Sequence, residues 1–112
     1  MSEPPEPSEF LVVLTSTPTE DEALRIVQLL LEAKVIAGGK VLPGAVSRYW
    51  WQGRIQEARE WVVLLKTARG RFQAIQDVIH RVHSYRVPEL IALPIVDGAP
   101  SYLAWLRDAV AP

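Results

Sequence analysis

The sequence predicts an α+β fold in which one antiparallel sheet is packed by two helices, and three observations predict it. The first is a long hairpin centred on Arg48-Tyr49-Trp50-Trp51-Gln52-Gly53-Arg54-Ile55. Glycine accepts the positive φ that a two-residue hairpin loop needs, and aromatic and β-branched flanks suit extended strands. The second is the order of hydrophobic periods along the chain: strand, helix, strand, strand, helix, strand, helix. The third is that Phe10–Leu14 and Glu60–Lys66 are apolar on both faces, as in strands covered on both sides.

Each element has a local reason. Phe10–Leu14 is a continuous apolar run of strand length. A helix start follows, with Thr17 as N-cap, Pro18 at the first helical position, and Glu20 completing a capping box; Asp21 and Glu22 favour the positive end of the helix dipole. Ala23, Val27, Leu30 and Leu31 recur at helical spacing, and Gly38-Gly39 ends the helix or the turn after it. Lys40-Val41-Leu42 opens the second strand, and Pro43-Gly44 interrupts its ladder, so a bulge is expected there. Beyond it, Val46, Arg48 and Trp50 share one face, and Ser47, Tyr49 and Trp51 the other. Phe72, Ile75, Ile79 and Val82 mark a second amphipathic helix ending near His83-Ser84. Glu89–Leu93 is the fourth strand, and Ser101–Ala109 a last helix preceded by Ala99, a poor N-cap. The first six elements form the split β-α-β pattern of ferredoxin-like folds. One sheet face then needs cover from the last helix or from another subunit.

Composition narrows the function. The 112 residues make one domain, expected over 10–112, behind a Pro-rich acidic tail over 1–9 that reads as disordered rather than as a signal peptide. A formal charge of −1 with no basic stripe argues against nucleic-acid binding. No apolar run is long enough to span a bilayer, so a cytoplasmic location is expected. The absence of cysteine removes disulfides, thiolate metal sites and a cysteine nucleophile together. No nucleophile elbow, zinc-protease motif or phosphate loop occurs, so no catalysis is expected. A hairpin this apolar on a small domain implies self-association, with Tyr49, Trp50, Trp51 and Trp61 at the contact.

Leu42-Pro43-Gly44, Tyr49–Ile55, Leu65-Lys66-Thr67, Val87–Pro94 and Tyr102–Leu106, taken in order and at this spacing, resemble the CutA family of divalent-cation tolerance proteins. The resemblance runs from about Phe10 to Arg107. It implies a ferredoxin-like subunit with a long β2–β3 hairpin, assembled as a homotrimer of interlocking hairpins, and a part in the response to copper and other divalent metals. The chain departs from the family pattern where metal chemistry is most expected. Thr17 and Gly38 stand where many members have Cys, Lys40 replaces a usual Asn, and Arg86 stands where the pattern is acidic.

Soft ligands for Cu(I) are therefore missing, and a metal site would draw on His83 with Glu89, or with Glu57 or Glu60 from a neighbouring subunit. His80, one turn earlier, lies on the same helix face. No cofactor is required by this reading; a divalent cation such as Cu(II) or Zn(II) is the candidate ligand. The competing structural reading has His83 hydrogen-bonded to a carboxylate or carbonyl. A second functional expectation places Lys66, Tyr85, Arg86 and Glu89 around a subunit cleft for a small anionic ligand, by analogy with the trimeric PII signalling proteins. A third makes the trimer a scaffold for a partner protein.

Overall fold

The computed structural model describes residues 4–111. Its elements are a short 3-10 turn (Pro7–Glu9), β1 (Phe10–Thr17), α1 (Glu20–Glu32), β2 (Gly38–Trp51), β3 (Arg54–Ala68), α2 (Phe72–Val82), β4 (Leu90–Pro94) and α3 (Pro100–Ala109). The four strands form one sheet in the order β2-β3-β1-β4, with every neighbouring pair antiparallel. This is the βαββαβ arrangement expected, with α3 added.

The hairpin closes at Gln52 (φ 51°) and Gly53 (φ 75°), both left-handed, as a type I′ turn requires. Its arms, 14 and 15 residues long, project well past the end of β1 and give the molecule its 54 Å long axis. The break at Pro43-Gly44 is a bulge. Leu42 pairs with Val62 but Ala45 pairs with Glu60, and Gly44 takes φ 83°.

The core lies between the sheet and the helices α1 and α2. Val13 of β1 and Val63 and Leu65 of β3 meet Ala23, Ile26 and Leu30 of α1 and Ile75, Val78 and Ile79 of α2. Burial of residues this apolar contributes about 1.5–3 kcal/mol per side chain. A second, smaller cluster joins Phe10 to Leu103 and Leu106, so α3 covers only the Phe10 end of the opposite sheet face. Farther along that face Leu42, Ile91 and Leu93 remain 42%, 48% and 49% exposed.

Several local expectations are corrected. The N-cap of α1 is Thr19, whose side chain accepts the Glu22 N–H at 3.2 Å. Thr17 instead lies buried at the end of β1, and its hydroxyl donates to the Thr19 carbonyl at 2.7 Å. The inward face of α1 is built on Ile26 rather than Leu31, which is 38% exposed. The helix ends with Lys34 at φ 57°, and Gly38-Gly39 already belongs to β2. Gly39 is needed there, because a Cβ would sit 3.1 Å from Leu65 and Val27.

The tail expected over 1–9 is anchored at its end. Arg107 bonds both Glu9 carboxylate oxygens at 3.0 and 3.1 Å, and Arg69 donates to the Ser8 carbonyl at 2.8 Å. Residues 1–3 of that tail lie outside the described residues.

Candidate functional site

Because β1 stops at Thr17 while the hairpin continues, a gap opens between the hairpin and the segment joining α2 to β4. That segment crosses the end of β1 and forms the opposite wall. The result is an open cleft of about 810 Å³. Ser47, Tyr49, Trp51 and Glu60 line it from the hairpin, and Tyr85, Arg86 and Glu89 from the α2–β4 segment.

The faces of the hairpin explain which side chains arrive. On β3, Trp61, Val63 and Leu65 face the helices, so Glu60 and Val62 face the other way. Past the bulge, Ala45 lies opposite Glu60 and Tyr49 opposite Gln56, which puts Ser47, Tyr49 and Trp51 on the Glu60 face. Glu60 is only 6% exposed. The Tyr85 hydroxyl is held protonated, its pKa pushed up to about 12, first by burial and then by its hydrogen bond to the Glu60 carboxylate. No lysine, arginine or histidine among the described residues forms an ion pair with Glu60.

His83 secures the α2–β4 wall from behind. Its side chain is 1% exposed. Nε2 lies 2.7 Å from the Ser16 carbonyl, and Nδ1 accepts the Tyr85 backbone N–H at 3.0 Å. These contacts fix the tautomer with the proton on Nε2, since a backbone N–H cannot donate to a protonated Nδ1. The Glu22 carboxylate, 3.3 Å from Nδ1, is therefore a close neighbour and not a hydrogen-bond partner of the ring; it accepts the Ser84 N–H at 3.1 Å. His83 and Glu22 together tie β1, α1 and the wall segment into one unit.

The four metal-site candidates are not gathered in the protomer. Glu60 and Glu89 both line the cleft, but Glu57 lies on the helix side of the hairpin, bound to Arg48 at 2.8 Å. Both ring nitrogens of His83 are already engaged, and among the described residues no group of three metal-ligating side chains occurs. His80 is exposed on the outer surface of α2.

The anion-cleft set is divided in the same way. Tyr85, Arg86 and Glu89 line the cleft, whereas Lys66 sits six residues along β3 from Glu60, opposite Val12 and Gly38. There burial, followed by the charge of Lys40, holds its pKa below the usual lysine value.

Of the expected contact aromatics, Trp50 is 73% exposed and Tyr49 and Trp51 are half-exposed, but Trp61 packs against the protomer's own core. What the sequence reading missed is that Glu60 and Tyr85 meet within one chain. Strand alternation counted back from Val63 would have placed Glu60 on the face away from the helices.

The CutA1 divalent ion tolerance protein family model matches residues 11–109. The chain belongs to the CutA family. The divalent-cation tolerance protein CutA of Thermus thermophilus is 39% identical over 97 residues, which cover 87% of this chain and 94% of that protein. Its counterpart from Salmonella newport is 38% identical over 102 residues, covering 91% and 89%. Among solved structures, CutA from Xylella fastidiosa superposes with a TM-score of 0.89 at 33% identity, covering 93% of this chain and 100% of that one. A CutA from Archaeoglobus fulgidus, described as periplasmic, gives 0.88 at 32% identity, covering 91% and 99%. Membership makes this a divalent-ion tolerance protein with the family's fold. No helix among the described residues is long and apolar enough to cross a membrane.

Proposed function

We propose that this CutA-family chain works as a cytoplasmic, non-enzymatic homotrimer in divalent-ion tolerance, and that it binds a divalent cation such as Cu(II) or Zn(II) weakly. Glu60 and Glu89 supply the oxygen ligands, while His83 holds the wall that carries them. The observation that supports this reading is the buried Glu60 carboxylate, which opens into the cleft with no cationic partner among the described residues. Two carboxylates completed by water make a weak site for a divalent ion, because no third protein ligand fixes the coordination geometry. The trimer is supported by the uncovered apolar face around Leu42, Ile91 and Leu93 and by the exposed Trp50 and Ile55 of the hairpin.

Calorimetric titration of the metal-free, untagged protein with Cu(II) and Zn(II) tests the site. Removing Glu60 and Glu89 as ligands, by Glu60→Gln with Glu89→Gln, is expected to weaken binding by about tenfold or more. Unchanged affinity in that double variant would overturn the assignment. Light scattering that gave a monomer at micromolar concentration would overturn the trimer.

A further inference from the structure

We propose that the cleft between the hairpin and the α2–β4 segment is a binding site for a small organic ammonium ion, held by the Glu60 carboxylate and the rings of Tyr49, Trp51 and Tyr85. The inference deepens the reading of this cleft as a cation site and rests on it. Glu60 is 6% exposed, and its one side-chain partner is the Tyr85 hydroxyl. A carboxylate offers about four acceptor positions, and a buried one leaves a deficit unless a positive group approaches.

The chain's own cations do not fill that deficit. Arg48 is held by Glu57 on the helix side, and Lys66 lies well down β3. Arg86 and Glu89 are exposed, so their opposite charges stand at the rim and the buried charge of the cleft is the negative one of Glu60.

The walls choose between kinds of cation. Aromatic ring faces attract a diffuse positive charge, and carboxylate plus aromatic rings is the chemistry that recognises substituted ammonium groups. Val87 and Pro88 add apolar surface. A volume of about 810 Å³ accommodates an organic molecule and greatly exceeds one metal ion with its water shell. An anionic ligand would meet the Glu60 charge and the negative ring faces at once.

The test titrates the full-length protein with tetramethylammonium, choline and putrescine, followed by calorimetry and tryptophan fluorescence, with sodium benzoate as the anionic control. The ammonium ions are expected to bind saturably and benzoate not to bind. Glu60→Gln should weaken ammonium binding about tenfold, and Tyr49→Leu, which keeps apolar bulk but removes the ring, several-fold. Light scattering checks that both variants keep the parent's oligomeric state.

Absence of ammonium binding overturns the inference, and so does binding insensitive to both substitutions. A basic side chain of a second copy seated on Glu60 would block the probes and give that same overturning result. If tetramethylammonium fails while Cu(II) or Zn(II) still binds through Glu60, this inference falls and the metal reading stands. If neither kind of cation responds to Glu60→Gln, both fall.

Discussion

His83→Ala separates a structural histidine from a metal ligand. The wild-type ring spans the 2.7 Å contact to the Ser16 carbonyl and the 3.0 Å bond from the Tyr85 N–H, and its side chain is 1% exposed. Truncation leaves a buried carbonyl and a backbone N–H without partners, at about 1–2 kcal/mol each, and opens a cavity the size of the imidazole at about 1–2 kcal/mol more. The expected loss is therefore about 3–5 kcal/mol, a large part of the 5–15 kcal/mol typical of a folded domain. Guanidinium unfolding at fixed protomer concentration measures it, because subunit association would make the midpoint concentration-dependent. Amide exchange should quicken first at Ser84 and Tyr85, the backbone groups that Glu22 and His83 hold. His83→Gln, which keeps a donor and an acceptor, should recover part of the loss. A loss below about 1 kcal/mol, with Cu(II) affinity falling tenfold or more, would refute the argument and return His83 to the ligand role.

Three further perturbations test other parts of the molecule. Gly53→Ala places a Cβ at φ 75° with open space around it, so its cost of about 1 kcal/mol is purely conformational; Gln52→Asn should stabilise, and thermal melts of the two variants read both effects. The Glu9 carboxylate has its pKa held below 4.5, first by the Glu6 backbone N–H and then by Arg107. A depressed carboxylate pKa stabilises the fold above the unfolded value and loses that contribution as pH falls through the folded one, so Glu9→Gln should flatten the acid limb of a stability–pH curve. Lys66 has the opposite sign, because burial and Lys40 lower its pKa and the folded state resists its charge. Its penalty is present at neutral pH and relieved as pH rises through the folded value towards 10.5, so Lys66→Met should raise the melting temperature at pH 7 and weaken the gain on the alkaline side.

The fold was legible because its signals are local. The Gln52-Gly53 turn, the interruption at Pro43-Gly44 and the helical spacing of Phe72, Ile75 and Ile79 each declare themselves within a few residues, and each lies where expected. The N-cap of α1 was misplaced because two T-x-x-E registers overlap, Thr17 with Glu20 and Thr19 with Glu22. Only tertiary packing, which draws Thr17 into the end of β1, chooses between them. The site was less legible because it depends on which strand residues share a face, and that parity is set by the bulge.

Before the bulge the paired positions of β2 and β3 follow Val41–Val63 and Leu42–Val62; after it they follow Ala45–Glu60 and Val46–Arg59, a shift of one residue. A one-residue shift exchanges the two faces of everything that follows. In the observed register Tyr49 and Trp51 stand on the Glu60 side of the sheet, and Arg48 meets Glu57 on the helix side. Were the ladder regular through Pro43-Gly44, Trp50 would take the Glu60 face and Tyr49 and Trp51 would be carried to the other. The left-handed Gly44, with no side chain to pack and nothing within 4 Å of its would-be Cβ, therefore determines which aromatic rings stand over the buried carboxylate.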